Sequence, residues 1–412
     1  MEKQNIKPKL RFPEFSGDWE FKKLVELLEF KNGINASKEQ YGQGVKFINV
    51  LDILNNEFIT YDKIIGSVDV DNDTVNKYPV NFGDILFQRS SETREEVGTA
   101  SVYLDNQKTA TFGGFVIRGR KISEYIPLFL NQLLKTDMAR NDITSKSGGS
   151  TRYNVGQETL ANVTLPFPCL AEQTKISSFI TVVSEKISQL KKKKSLLEQY
   201  KKGVMQKIFD QEVRFKDDNG NEFPDWIVKT VENLCAVAKS GGTPISTKKE
   251  FYDGDIPFLS ISDMTLQGKY LNYTSNHVSK LGIESSASWI VPVNSIIYSM
   301  YASIGFVSIN KIPIATSQAV LNLILKKGIN TEFVYYSLAH FQVKTIKYIT
   351  TGTQGNLNAH SVKSFEISLP SFPEQTKIAN FLSAIDEKIN QCSNQIGKTE
   401  SYKKGLLQQM FV

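Results

Sequence analysis

The sequence predicts a mixed α/β fold built twice: two globular modules separated by two long helices that pair antiparallel as a coiled coil, with pseudo-two-fold internal symmetry. Three observations predict it. Residues 172–209 align without a gap to residues 374–411 at an offset of 202, and 17 of the 38 paired positions are identical. Both copies space their apolar residues in alternating steps of four and three, as a helix does when it packs along a narrow seam. The stretches before each copy are rich in Ile, Val, Phe and Tyr and broken by Gly, Asn, Asp and Pro, which reads as short strands and turns. A chain of 412 residues is too long for one ordinary core, so each module should bury its own. The expected divisions are a first module at 1–168, a central helix at 169–212, a second module at 213–373 and a terminal helix at 374–412.

The modules repeat more faintly than the helices. Leu10-Arg11-Phe12 with Trp19 downstream is answered by Val213-Arg214-Phe215 with Trp226. Phe47–Asp52 matches Phe258–Asp263 in pattern, Pro79–Phe87 matches Pro292–Tyr298, Val97-Gly98 matches Ile304-Gly305, and Ser147–Ser150 matches Thr351–Gln354. Asn294-Ser295 replaces the Gly-Asp of the first module's turn, which leaves the turn type of the second copy open. Phe129–Met138 and Phe333–Phe341 read as helices. The loops diverge most between Arg89–Val97 and Ser299–Ile304, as expected of two related recognition modules with different targets.

In the central helix the seam runs Ile176, Ile180, Val183, Ile187, Leu190, Lys194, Leu197, Lys201, Val204, Ile208. In the terminal helix it runs Ile378, Leu382, Ile385, Ile389, Cys392, Ile396, Thr399, Lys403, Leu406, Met410. Ser371-Phe372-Pro373-Glu374 fits a capping box with proline in the first turn, a signal that Cys169 removes from the first copy. A helix of this length extends about 57 Å. Gly203 and Gly405 fall at the same register, where glycine suits either close approach by a partner backbone or a fraying end.

The net charge of +6 is local. Residues 172–209 hold nine Lys and three Glu, hence +6, residues 374–411 sum to +1, and the remainder to about −1. Lys191–Lys194 is either a solvated helix face or a surface for phosphates or an acidic partner. No apolar run reaches the roughly 18 residues that a membrane span needs. The polar start of the chain and the scattered Cys169, Cys235 and Cys392 favour the cytoplasm, without a disulfide framework or a zinc site.

Catalytic signatures fail one by one. The absence of any Pro-Pro excludes the Asn/Asp-Pro-Pro-aromatic loop of amino-methyltransferases. Gly397-Lys398-Thr399 has Cys392 where a phosphate-binding loop needs glycine. Glu20-Phe21-Lys22 has no Pro-Asp upstream, and His277, His340 and His360 share no ligand spacing. Gly113-Gly114 and Gly241-Gly242 read as turns, since no Gly-x-Gly-x-x-Gly follows a strand. The chain reads as a binding protein.

Two copies of a Leu-Pro…Pro…Glu-Gln-Thr-Lys-Ile phrase, Leu165 to Ile176 and Leu369 to Ile378, are each followed by Tyr-Lys-Lys-Gly, at Tyr200–Gly203 and Tyr402–Gly405. These residues resemble the specificity subunits of type I restriction–modification enzymes, across essentially the whole chain. In that alignment Leu170-Ala171 are extra in the first copy. The resemblance implies that each module is a target recognition domain reading half of a bipartite, asymmetric site on double-stranded DNA, with the helical pair setting the gap. It implies a non-catalytic chain that holds two methyltransferase subunits binding S-adenosylmethionine, and restriction subunits that use ATP and Mg for translocation and cleavage. One turn of B-DNA, about 34–36 Å, fits within such a helix. Arg89, Arg94, Arg152 and Tyr153 in the first module and Lys248, Lys249, Tyr301, Gln354 and Asn356 in the second are the candidate DNA contacts, being polar or aromatic residues near turns. Ile180, Val183, Ile187, Leu190, Leu382, Ile385, Ile389 and Ile396 are the expected core of the helix seam. The alternative is a non-catalytic mimic that sequesters methyltransferase subunits; its DNA-facing surfaces should be acidic, which the near-neutral modules do not favour. A self-sufficient methyltransferase–nuclease lacks its motifs.

Overall fold

The computed structural model describes residues 7–345 and 357–411. The chain divides into two units, Met1–Lys191 with Asn394–Val412, and Lys192–Ser393. The central helix, Leu170–Phe209, and the terminal helix, Phe372–Met410, each contribute one half to each unit.

The first unit is built on an antiparallel four-stranded sheet, in the order Leu28–Asn32, Val116–Lys121, Ile85–Gln88, Ala100–Val102. A three-stranded sheet lies beside it in sequence, in which Tyr41–Ile48 runs between Ser67–Val68 and Thr111–Phe112. Glu20–Lys23 pairs antiparallel with Thr164–Phe167, the strand that leads into the central helix. The second unit repeats this plan. Cys235–Ser240, Val320–Leu325, Ile296–Ser299 and Val307–Asn310 form the matching sheet, with Tyr270–Leu271 added at its edge. Asn276–Val278, Ile256–Leu259 and Ile314–Thr316 match the three-stranded sheet, and Ile290–Val291 extends it. Ile227–Thr230 pairs with Glu366–Leu369 ahead of the terminal helix.

The faint sequence matches are local structures preserved. Asn49 precedes the helix Val50–Leu54 and its N–H donates to Asp52 Oδ2 at 2.8 Å; Ser260 precedes Ile261–Gln267 and donates to Asp263 Oδ2 at 2.9 Å. Burial opposes the charge of Asp263, but hydrogen bonds from Ser275 and Ser260 outweigh it and hold the carboxyl below its ordinary range. The turn left open by sequence is the same in both modules. Asn294 adopts φ +62°, as Gly83 adopts φ +88°, and each N–H donates at 2.8 Å to a carbonyl across the sheet, Asn310 and Tyr103 respectively. Asparagine tolerates this left-handed conformation better than most residues because its amide bonds locally.

Three expectations need correction. Ser371 does not form the expected capping box: its Oγ is buried and makes no hydrogen bond, so the helix start is fixed by other contacts described below. Leu170-Ala171 are not extra residues. Phe167 and Leu369 hold the same place opposite Glu20 and Ile227, and both helices start three residues later, so the gapless offset of 202 extends back through the strand. Phe129–Met138 is not one helix. Pro127–Leu133 ends, and Thr136 caps a second helix, Asp137–Ser145, by accepting the N–H of Ala139. Its counterpart Phe333–Phe341 lies within one continuous helix, Thr331–Thr345.

All twenty seam positions are buried or half-buried, including Lys194, Lys201, Thr399 and Lys403. Within the first unit, Lys191 meets Glu400 at 2.7 Å, while Ile176 and Ile180 share a core with Met410 and Phe411. One helix therefore ascends as the other descends. Within the second unit Lys201 meets Asp386 at 2.5 Å and Ile208 shares a core with Ile378 and Leu382, again antiparallel. A Cβ added at Gly203 or Gly405 would touch nothing within 4 Å, and both helices continue past them. Neither close approach within this chain nor fraying explains these glycines.

Candidate nucleic-acid interface

The repeated phrase works as a dock between helix and module. Glu172, buried in the first turn of the central helix, accepts two bonds from Arg11, Nε at 2.8 Å and Nη2 at 2.7 Å. Glu374 accepts the same pair from Arg214 at 3.2 and 2.9 Å, and a third from Trp226 Nε1 at 3.1 Å. Planar guanidinium–carboxylate pairs fix orientation as well as distance. Gln173 donates to the Pro168 carbonyl and accepts from the Ile126 N–H; Gln375 does the same with Pro370 and Asn330. Lys175 pairs with Glu14, and Lys377 with Asp218 at 2.6 Å. Ile176 and Ile378 enter the cores. The far ends of the copies are used too. Phe411 lies against Trp19 and Phe129, as Phe209 lies against Phe333, itself in contact with Trp226. Each module is thus fixed by the start of one copy and the end of the other.

Loops project from this fixed frame. Between Ile85–Gln88 and Ala100–Val102 the chain leaves the sheet, and Gly98 closes the loop by donating to the Gln88 carbonyl at 2.9 Å. In the second module Gly305 closes the equivalent, shorter loop by donating to Ser299 at 2.9 Å. The longer loop gathers the first module's candidates. Ser90–Ser91 pairs with Tyr153–Asn154, Arg89 receives the Val155 N–H at its carbonyl, and Arg152 stands 3.9 Å from Glu92. Arg89, Arg94 and Arg152 are exposed and Tyr153 is half-buried. Arg94 Nε donates to the Thr144 carbonyl at 3.2 Å and Arg89 Nη1 to Gly114 at 3.3 Å, weak tethers that leave other N–H groups of each guanidinium to face outward.

The second module's candidates do not form one cluster among the described residues. Lys248 and Lys249 are exposed at the short turn Lys249–Phe251, with Lys248 Nζ 5.2 Å from the Phe251 ring. Tyr301 is exposed in the Ser299–Gly305 loop. Gln354 and Asn356 lie outside the described residues. Of the helix lysines, Lys191 and Lys194 engage Glu400 and Glu198, while Lys192 and Lys193 are exposed. Among the described residues no group of three or more His, Cys, Asp or Glu is placed to hold a metal, and no helix is long and apolar enough to cross a membrane.

Sequence reasoning missed the docking partners Arg11 and Arg214 as functional residues. The signal was present: they recur at an offset of 203, one residue from that of Glu172 and Glu374. It also passed over Gly33 and read Gly241 only as part of a turn; both follow matched edge strands. A Cβ at Gly33 would come within 2.2 Å of the Gly113 carbonyl oxygen, and one at Gly241 within 1.7 Å of that of Thr316.

Two copies of one frame, carrying unlike loops, invite comparison with known proteins. The family profile described as "type I restriction modification DNA specificity domain" matches residues 16–199 and again 224–398. The chain belongs to that family. A relative in Methanocaldococcus jannaschii, assigned as the type I restriction enzyme MjaX specificity subunit, is 25% identical over 418 aligned positions, covering 98% of this chain and 95% of the relative. The HindI specificity subunit of Haemophilus influenzae is 32% identical over 149 residues, 35% of this chain and 32% of that protein. The crystal structure of the S subunit from M. genitalium has the same fold, with a TM-score of 0.60 at 16% identity and 99% coverage of both chains. The two family segments coincide with the two structural repeats, so the specificity domain occurs here twice.

Proposed function

We propose that this chain is the DNA sequence-recognition subunit of a type I restriction–modification complex. It reads a bipartite, asymmetric site, one half per module, taking 1–168 and 213–373 as the target recognition domains. The observation that carries this reading is the matched frame with unmatched loops: the same docking residues hold both modules, while Arg89–Val97 and Ser299–Ile304 differ in length and chemistry. Loops on a rigid frame are where specificity is varied. Arg89, Arg94, Arg152 and Tyr153 contact the first half-site, with arginine suited to guanine in the major groove; Lys248, Lys249, Tyr301, Gln354 and Asn356 serve the second.

The chain is non-catalytic, and chemistry belongs to its partners in the cytoplasm: two methyltransferase subunits using S-adenosylmethionine, and restriction subunits using ATP and Mg. The outer helix faces support the methyltransferase sites. Tyr200 and Tyr402 stay exposed although identical between copies. The seam (Ile180, Val183, Ile187, Leu190 with Leu382, Ile385, Ile389 and Ile396) keeps the helices in register and so fixes the gap.

Methylome sequencing of cells expressing this chain with its methyltransferase tests the reading. Replacing 213–373 with a foreign second module should change one half-site only; a change in both halves would refute modular reading. Inserting four residues between Leu190 and Leu197 adds about 6 Å of helix and should widen the gap by one or two base pairs, about 3.4 Å each. An unaltered gap would remove the spacer role.

A further inference from the structure

The modules meet the helices at one matched position where the charge is reversed. Val102 and Ile309 lie opposite Ile85 and Ile296, so the next residues, Tyr103 and Asn310, are equivalent. Ile59 bridges in parallel to Tyr103, and Leu271 pairs in parallel with Asn310. Two residues before each stand Glu57 in the first module and Lys269 in the second. On the helices, the offset of 202 makes Ser184 equivalent to Asp386 and Lys201 equivalent to Lys403.

In the first unit the Glu57 carboxylate accepts from Ser184 Oγ at 2.7 Å and Lys403 Nζ at 2.5 Å. In the second, the Lys269 ammonium donates to Tyr336 Oη at 2.7 Å and Ser383 Oγ at 3.1 Å and lies 3.9 Å from Asp386. Asp386 is bound by Lys201 and by the Tyr336 hydroxyl, both at 2.5 Å. Lys269 also pairs with Glu332 of its own module and lies near the rings of Tyr270, Tyr335 and Tyr336. One lysine, Lys403 or Lys201, is common to both arrangements. What differs is an acid, Glu57, with Lys135 of its own module beside it and serine opposite in one unit, and a base, Lys269, with Glu332 beside it and aspartate opposite in the other.

We propose that this reversed pair addresses each module to its own helix site, the first to Ser184 and Lys403, the second to Asp386 and Lys201. The proposal rests on reading the modules as separable units on a common frame. Set at the first site, the second module would bring Lys269 to Lys403 with serine where its aspartate belongs, and would leave the Tyr336 hydroxyl without its carboxylate. Set at the second site, the first module would bring Glu57 against Asp386. Discrimination of this kind comes from repulsion at the wrong site as much as attraction at the right one.

The test is a change of sign. In the full parent chain, Ser184→Asp places an acid against Glu57 and should lower the melting temperature. In a full-length chimera carrying the second module's sequence in both places, the same substitution should raise it by about 2–4 °C. A double-mutant cycle covers the case of a chimera that does not fold: Ser184→Asp should destabilise the parent and stabilise the Glu57→Lys background. An effect of the same sign in both backgrounds overturns the address. Melting does not depend on DNA reading, so a chimera with the expected melting behaviour but an unaltered methylation pattern would count against the proposed function and leave the address standing.

Discussion

The two modules share a backbone plan and differ inside it. Opposite Leu86 in the first sheet stands Arg118; opposite Ile297 in the second stands Asn322. Before these central strands the first module has Asp84 and the second Ser295. Asp84 lies 3.9 Å from Arg118 and 3.8 Å from Arg120, a buried charged cluster in which burial raises the carboxyl pKa despite both arginines. The second module fills the same space with neutral groups: the Asn310 amide bonds Ser295, Pro292 and Ile312, and Asn322 bonds Thr316 and Lys239. Turn geometry and strand register are what the frame requires. The chemistry of the buried polar groups varies between the modules, and neither version is fully bonded: Arg118 Nε and Arg120 Nε in the first and Asn322 Oδ1 in the second make no hydrogen bond.

The sharpest test of that equivalence is at the docks. Removing one member of a buried pair strands the other, at about 3–5 kcal/mol, less where the survivor reaches water. Arg11 and Arg214 are partly exposed, so Glu172→Ala and Glu374→Ala should each cost about 2–3 kcal/mol in denaturant unfolding. Glu374→Ala should cost more by about 1 kcal/mol, because it also removes the Trp226 bond, whereas Trp19 Nε1 has no hydrogen bond to lose. Equal losses would show that the tryptophan bond contributes nothing.

The interior clusters should separate the modules more gently. Asp84→Asn leaves Arg118 buried without its counter-charge and should cost about 2 kcal/mol; Ser295→Ala removes one hydroxyl bond to Pro292 and should cost about 1 kcal/mol. A reversed order in urea unfolding would mean that the charged cluster is strained. On DNA, Arg89→Ala should weaken or relax the first half-site by about 1–3 kcal/mol and leave the second unchanged, read by methylation of half-site variants. Loss of methylation at every site would instead make Arg89 structural.

How much of this was legible beforehand depends on the range over which residues act. The seam could be read because its signal is local: steps of three and four survive every substitution that keeps a residue apolar, and even Lys201 and Thr399 sit where the spacing places them. The docks were harder to read: recurrence marks Arg11 and Glu172 each as repeated, but they are 161 residues apart and nothing local pairs one with the other. Ser371 misled, since a serine before a helix caps it only if its hydroxyl turns toward the first-turn amides; here it is buried without a partner while Gln375 and Glu374 secure the turn. The first module's candidates clustered because Ser90–Ser91 and Tyr153–Asn154 happen to pair, a long-range event that composition does not announce.

The smallest effect distinguishes the units by pH. Burial opposes the charge of Glu57, but bonds from Lys403 and Ser184 outweigh it and hold its carboxyl below the ordinary value of 4.5. An acid with a depressed folded-state pKa adds stability that is fully present above its unfolded value and is lost as pH falls through its folded one. The first unit should therefore lose protection in the Ile176–Ile187 stretch as pH drops below 4.5, measured by hydrogen exchange with intrinsic rates corrected for pH. Glu57→Gln keeps a hydrogen-bonding side chain but has no proton to gain, so it should flatten that part of the profile and lower protection at neutral pH. The residue at the equivalent place in the second unit is Lys269, paired with Glu332 and near Asp386, so Glu57→Gln should leave the protection of Met205–Ile208 unchanged at every pH. Identical acid profiles for the parent chain and Glu57→Gln would show that the carboxylate does not secure the first module, and the contrast between the units would then rest on Lys269 alone.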